Sequence, residues 1–308
     1  MSEGSTRSIY AAMIANVAIG VAKFIGAAIS GSSAMLSEGI HSVVDSINEV
    51  LLLYGLKQSQ KEPDENHPLG HSQEIYFWSL MVAVLIFALG GGISIYEGFK
   101  SFNNPKESTN AMVSYGVLCI AALFEGTALL ISLREFNKER SDKGISLWQA
   151  LERSKNPANF VVIFEDSAAL LGIAVAFSGV FVSDLTGKIF YDGLASILIG
   201  VILTIVAIVL VGKTRGLLVG ESAAPQVRES IRNIVLEDKA VLKVESPITF
   251  QLGPNDILLA LNIEFQDDLS SDQIESAICR IEDTIRASHG EVKRIFIEAR
   301  SITCEHKS

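Results

Sequence analysis

SSAMLSEGIHSVVDSINEVLLLYG, residues 32–55, has the length of a membrane span and is expected to be one, yet it carries Glu38, His41, Asp45 and Asn48 at steps of three and four. A helix stacks such positions into one stripe. Ionisable groups inside a span cost on the order of several kcal/mol unless they are paired or hold an ion, so the stripe is expected to face a bundle interior rather than lipid. His41 and Asp45, about one turn apart, can aim an imidazole nitrogen and a carboxylate at one divalent cation. The same pair can instead bond to each other and to neighbouring helices, holding the bundle without metal. Acids in other spans favour the metal.

Working outward, the chain offers six segments of the roughly 20 apolar residues that a span needs, at about 9–29, 33–56, 74–99, 110–133, 158–182 and 190–212. A mean hydropathy of +0.36, with 49% hydrophobic and only 19% charged residues, agrees with a membrane protein. The formal charge of −10, from 25 basic and 35 acidic residues, argues against a nucleic-acid partner, whose phosphates need a basic surface. Cys119, Cys279 and Cys304 have neither pairing distance nor a CxxC spacing. MSEGSTRSIY runs into the first apolar stretch with no small-residue cleavage site, so a retained span is expected rather than a cleaved signal peptide. Lys57 and Lys61 follow span two, and Arg134, Lys138, Arg140, Lys143, Arg153 and Lys155 follow span four; the opposite side has only Lys100, Lys106 and Lys188. The positive-inside rule then places both termini in the cytoplasm.

The pattern changes at about residue 213. APQVRESIRNIVLEDKA has Val227, Ile231, Ile234 and Val235 on one helical face. VLKVESPITFQL reads as a strand, GPND as a turn, and ILLALNIEF as the second arm of a hairpin, with Ile257, Leu259, Leu261, Ile263 and Phe265 alternating. Ser270 and Gln273 have capping-box spacing before a helix that stops near His289-Gly290, and VKRIFIEA is a last strand. The expected division is a six-span transport domain over 1–212 and a cytoplasmic α+β domain over 213–308, ferredoxin-like in its αββαβ order. A module this small gains stability by pairing, which predicts a homodimer.

Other polar groups sit where chemistry is expected. NPANFVVIFEDSAALLGIAVAF places adjacent Glu165 and Asp166 in the middle of span five, where two carboxylates repel unless a cation, bound protons or partners neutralise them. Glu125 in span four and Lys23 in span one read as a structural ion pair. The 2–3 loop, KQSQKEPDENHPLGH, is interrupted by Pro63 and Pro68, so it is not a continuous helix. Its two histidines, four apart beside an acid, can bind zinc at the membrane face or hydrogen-bond to the backbone of a proline-stiffened turn. Gly90, Gly91 and Gly92 allow close packing or rocking of span three.

With SSAMLSEGIHSVVDSIN, HPLGH and DSAALLG in this order, the chain resembles the cation diffusion facilitator family of six-span zinc and manganese transporters, which usually exchange metal for protons. The likeness covers nearly the whole chain and is nearest the branch of the mitochondrial-type zinc transporter nine. It implies that His41, Asp45 and Asp166 are ligands of a transport site. Four residues before Asp166, where family members commonly have histidine or aspartate, this chain has Val162, and Glu165 is the expected substitute ligand. Asp64, His67 and His71 match the family's loop site, with a regulatory or structural role. Where many members place histidines for a binuclear zinc site in the soluble domain, this chain has Glu245, Asn262, Glu298 and Arg300, so that site is expected to be absent. His289 reads as a helix-end residue and His306 as part of a mobile tail.

The resemblance therefore implies secondary transport of Zn²⁺ against protons between spans two and five, with Mn²⁺ or Fe²⁺ as further candidates, in a multi-pass protein expected in a bacterial inner membrane. Three carboxylates and one histidine make an oxygen-rich set, which moves preference towards Mn²⁺ without excluding zinc. A rival is a membrane metal sensor or scaffold that lost transport with the ligand at Val162. An enzyme is not expected, since an intramembrane metalloenzyme would need a substrate pocket and a general base that the loops do not mark.

Overall fold

The computed structural model describes residues 3–104, 111–139 and 144–302; Lys106, Arg140, Lys143, Cys304 and His306 lie outside the described residues. The chain divides into two compact units, Met1–Lys57 with Phe77–Thr214, and Gln58–Tyr76 with Arg215–Ser308.

Helices build the first unit: α1 (Glu3–Ser30), α2 (Ser33–Ser59), α3 (Glu74–Leu85), α4 (Ile93–Asn103), α5 (Ala111–Glu139), the short α6 (Leu147–Arg153), α7 (Pro157–Thr186) and α8 (Phe190–Val219). α3 and α4 join through a π-helical stretch, Ile86–Gly92, that periodicity does not foretell. Among the described residues, four helices are long and apolar enough to cross a membrane: Glu74–Asn103, Ala111–Lys138, Pro157–Thr186 and Phe190–Val219. α2 has the length, at 27 residues, but its polar stripe interrupts the apolar run, and the described apolar part of α1 is Asn16–Ser30. α6 was also unforeseen; Ser146 and Gln149 start it with a reciprocal capping box.

Distant residues set the helix ends. The α1–α2 turn passes through Gly31 at φ +69°, and the new helix starts against Asp192 of α8. That carboxylate accepts from the Ser33 N–H at 2.5 Å and from the Ser32 and Ser33 hydroxyls at 2.5 and 2.8 Å. An anion there satisfies free N–H groups and meets the positive end of the helix dipole.

One helix pair packs without side chains between its backbones. Gly91 and Gly98 lie seven residues apart on the third-span rod, as do Gly193 and Gly200 on α8. A Cβ on Gly98 would stand 2.8 Å from the Gly193 carbonyl, and one on Gly200 would stand 2.7 Å from the Gly91 carbonyl. Any larger residue on this antiparallel seam would force the backbones apart.

The second unit packs α9 (Pro225–Glu237) and α10 (Ser271–Ser288) on a sheet of β1 (Val241–Val244), β2 (Ile248–Gly253), β3 (Asp256–Phe265) and β4 (Val292–Ala299). β3 is central: Ile263 faces Val244 of β1 and Ala299 of β4, while Leu259 faces Thr249 of β2 and Ile295 of β4. β1 and β2 thus follow each other along one antiparallel edge, and β4 runs parallel on the other. The single strand expected over VLKVESPITFQL is divided, because Pro247 has no N–H to give the ladder. Alternate β3 residues, Ile257 through Phe265, form the core with Ile231, Val235, Ala277, Ile281 and Ile285. The Ser270–Gln273 capping box opens α10.

The 2–3 loop belongs to this unit. Ser72 Oγ donates to Asp256 at 2.7 Å, and Arg294 holds both oxygens of the same carboxylate at 2.8 and 3.1 Å. After α8 the chain leaves the helix at Gly220, whose φ of +112° and contact with the Phe250 ring both exclude a side chain. It then runs beside β2, with Gln251 N–H donating to Glu221 O at 3.0 Å.

Candidate metal centre

The α2 stripe is buried: Glu38, His41, Asp45 and Asn48 are each at most 9% exposed. His41 Nδ1 lies 3.1 Å from Asp45 Oδ1, but the two are misaligned for a hydrogen bond. Both imidazole nitrogens and that carboxylate oxygen are buried with no hydrogen-bond partner among the described residues. Asp45 also meets the carboxyl of Glu165 on α7, whose Oε1 accepts from Asn48 Nδ2 at 2.5 Å. Two carboxyls this close need a shared proton or a cation between them. The α2–α7 contact thus brings imidazole nitrogen and carboxylate oxygen side by side.

Glu165 and Asp166 turn different ways. Adjacent helical residues point about 100° apart, so only one of them faces α2. Glu165 does, whereas the half-buried Asp166 is directed to Ser132 of α5, whose Oγ lies 3.4 Å away. No three of His41, Asp45, Glu165 and Asp166 bring their ligand atoms within 4.8 Å of one another. Val162, half-buried on α7, adds no donor. Glu49, one turn beyond Asp45, was missed in the sequence; it accepts from Asn16 at 2.7 Å, and its electrostatic partners include Glu165. The four-residue step from Asp45 was its signal.

The glycine of DSAALLG has a local cause. A Cβ on Gly172 would collide with Oε1 of Glu38, so the motif's last residue makes room for the carboxylate that opens the α2 stripe.

Asp64, His67 and His71 do converge, with one ligand atom from each within 4.8 Å of the others. Asp64 Oδ1 lies 3.1 Å from His67 Nδ1, and Asp64 Oδ2 lies 3.1 Å from His71 Nε2. The Asn66 and His67 N–H groups also donate to Oδ1, at 2.9 and 2.7 Å. These bonds, led by the His67 N–H, hold the Asp64 carboxyl down at about 2 despite its exposure. It is therefore a permanent anion facing two imidazoles, a set that suits zinc.

In the second unit, Glu245 Oε2 accepts from Asn262 at 2.6 Å and from Arg300 at 3.1 Å, which together hold its carboxyl below the ordinary range. His289 bonds to Ser230 Oγ at 2.8 Å.

Residues 9–219 match the cation efflux transmembrane domain. The chain belongs to the cation efflux, or cation diffusion facilitator, family. Within the family it falls with the SLC30A9-like branch. It is 32% identical over 236 residues to the mitochondrial proton-coupled zinc antiporter SLC30A9 of Xenopus laevis, covering 77% of this chain and 42% of the relative. It is 30% identical over 265 residues to metal tolerance protein C4 of Arabidopsis thaliana, covering 86% of this chain and 58% of the relative. The chain thus spans about two-fifths of the antiporter and under two-thirds of the plant protein. Against the manganese efflux system protein MneP of Bacillus subtilis, identity is 20% over 292 residues, covering 93% of this chain and 92% of the relative.

Proposed function

We propose that this protein exports a divalent cation, zinc first, in exchange for protons, with the ion bound between α2 and α7 by His41, Asp45 and Glu165, and by Asp166 once its carboxylate turns from Ser132 towards α2. One observation carries the reading: an imidazole with two unpartnered nitrogens lies beside a carboxyl pair in the interior of the helical unit. Metal needs neutral imidazole and ionised carboxylates, and protons convert both to non-binding forms, so the two cargoes compete for the same atoms. The oxygen-rich donor set, together with a manganese efflux relative, keeps Mn²⁺ as the second substrate to test.

In this reading α1 and α2 join the four apolar helices to give six spans, with both termini on the basic, cytoplasmic side. The soluble unit is a ferredoxin-like module through which two chains pair, and its loop site takes a regulatory or structural zinc. A bacterial inner membrane is the proposed location, against which stands the mitochondrial location in the name of the more similar antiporter.

The test is uptake of Zn²⁺, Mn²⁺, Fe²⁺ and Co²⁺ into proteoliposomes under an imposed pH gradient, comparing the parent with Asp45→Ala and Asp166→Ala. Metal uptake with opposing proton movement, lost in the variants, is the expected result. The converged Asp64, His67 and His71 favour a second reading, a non-transporting metal sensor. Metal binding without any uptake would select it.

A further inference from the structure

Lys23 is fully buried in α1, and its ammonium is shared by three oxygen donors. Ser42 Oγ lies at 2.9 Å and Glu38 Oε2 at 3.1 Å, both on α2, while Glu125 Oε1 lies at 3.8 Å on α5. A buried lysine needs an acid nearby, and here two carboxyls face one ammonium, so with both ionised the acids exceed what it neutralises. Glu38 Oε1 is buried beside Gly172 with no hydrogen-bond partner among the described residues. Two carboxylates and a hydroxyl, from two helices and around one point, form an all-oxygen set of the kind that hard divalent ions take.

We propose that the Lys23 ammonium is a tethered cation that keeps divalent metal out of a pocket made by Glu38, Ser42 and Glu125, so that the helical unit holds one exchangeable ion rather than two. An ion entering that pocket would stand within a few ångströms of the ammonium in a medium that screens poorly, and like charges exclude each other there. Replacing the lysine with a neutral residue leaves a pair of carboxylates whose charge one divalent ion balances. The inference rests on the transport reading only for the identity of the first ion.

The test is equilibrium binding of Zn²⁺ and of Mn²⁺ to the full chain in lipid nanodiscs, with the loop site removed by Asp64→Ala, His67→Ala and His71→Ala. Lys23→Met is expected to roughly double the metal bound per chain. The added ion should survive Asp45→Ala and disappear with Glu38→Gln, and Lys23→Arg should bind as the parent does. An unchanged count in folded Lys23→Met, or a gain that ignores Glu38→Gln or also occurs with arginine, overturns the proposal. A Lys23→Met chain that folds only with metal supplied supports it, and one that fails to fold even then overturns it, since metal would not replace the ammonium. Failure of the transport reading has its own signature: parent binding unaffected by Asp45→Ala, whatever the Lys23 variants do.

Discussion

The loop cluster and the α2–α7 contact use similar donors in opposite states. Asp64, His67 and His71 are exposed or half-exposed and already bonded to one another, so their geometry is fixed before any ion arrives. His41, Asp45 and Glu165 are buried, and part of their hydrogen-bonding capacity is unused. A self-satisfied cluster is stable with or without an ion, because the bonds to Asp64 hold its geometry when the site is empty. An unsatisfied one suits exchange, because proton and metal each relieve the same deficit.

The strongest way to break this contrast is to remove the buried donors. Asp45→Ala is expected to cut metal flux by about 100-fold or more, and Glu165→Ala to weaken metal binding by about 10-fold to 100-fold; unchanged binding in the second variant would remove Glu165 from the ligand set. Gly172→Ala should destabilise the helical unit by about 1–3 kcal/mol, read as a lower melting temperature in detergent, because the new methyl displaces Glu38. His71→Ala should weaken zinc binding at the loop by about tenfold in calorimetry while flux persists. The smallest effect is the loop's own acid response. Asp64 falls from an ordinary 3.8 to about 2 in the fold, so its contribution is complete above 3.8 and fades as pH drops towards 2. The Asp64 side-chain carboxyl carbon resonance should therefore reach its titration midpoint near pH 2 rather than near 3.8.

Local patterns made much of this architecture legible in the sequence. The α2 stripe follows from steps of three and four, and the alternation of Ile257 to Phe265 gives the buried face of β3. Pro247 was visible, but it lies in an apolar run, and its effect depends on β3 supplying the ladder that it interrupts. Which of Glu165 and Asp166 faces α2 depends on the rotation of α7, which packing sets and adjacency does not. Nor could spacing reveal that Asp192 caps a helix 159 residues earlier, or that the 2–3 loop is tied through Ser72 to Asp256.

The glycine seam between the third-span rod and α8 limits how the helical unit can deform. Backbones that touch carbonyl to Cα have no side-chain layer to repack, and a slide of even one residue would drive Ile197 or Ile95 into the opposing chain. The two helices must therefore swing as one lever. In the proposed transport, a change of access to Asp45 is taken up where α2 and α7 meet, the contact in which both His41 nitrogens and one Asp45 oxygen lack a hydrogen-bond partner among the described residues.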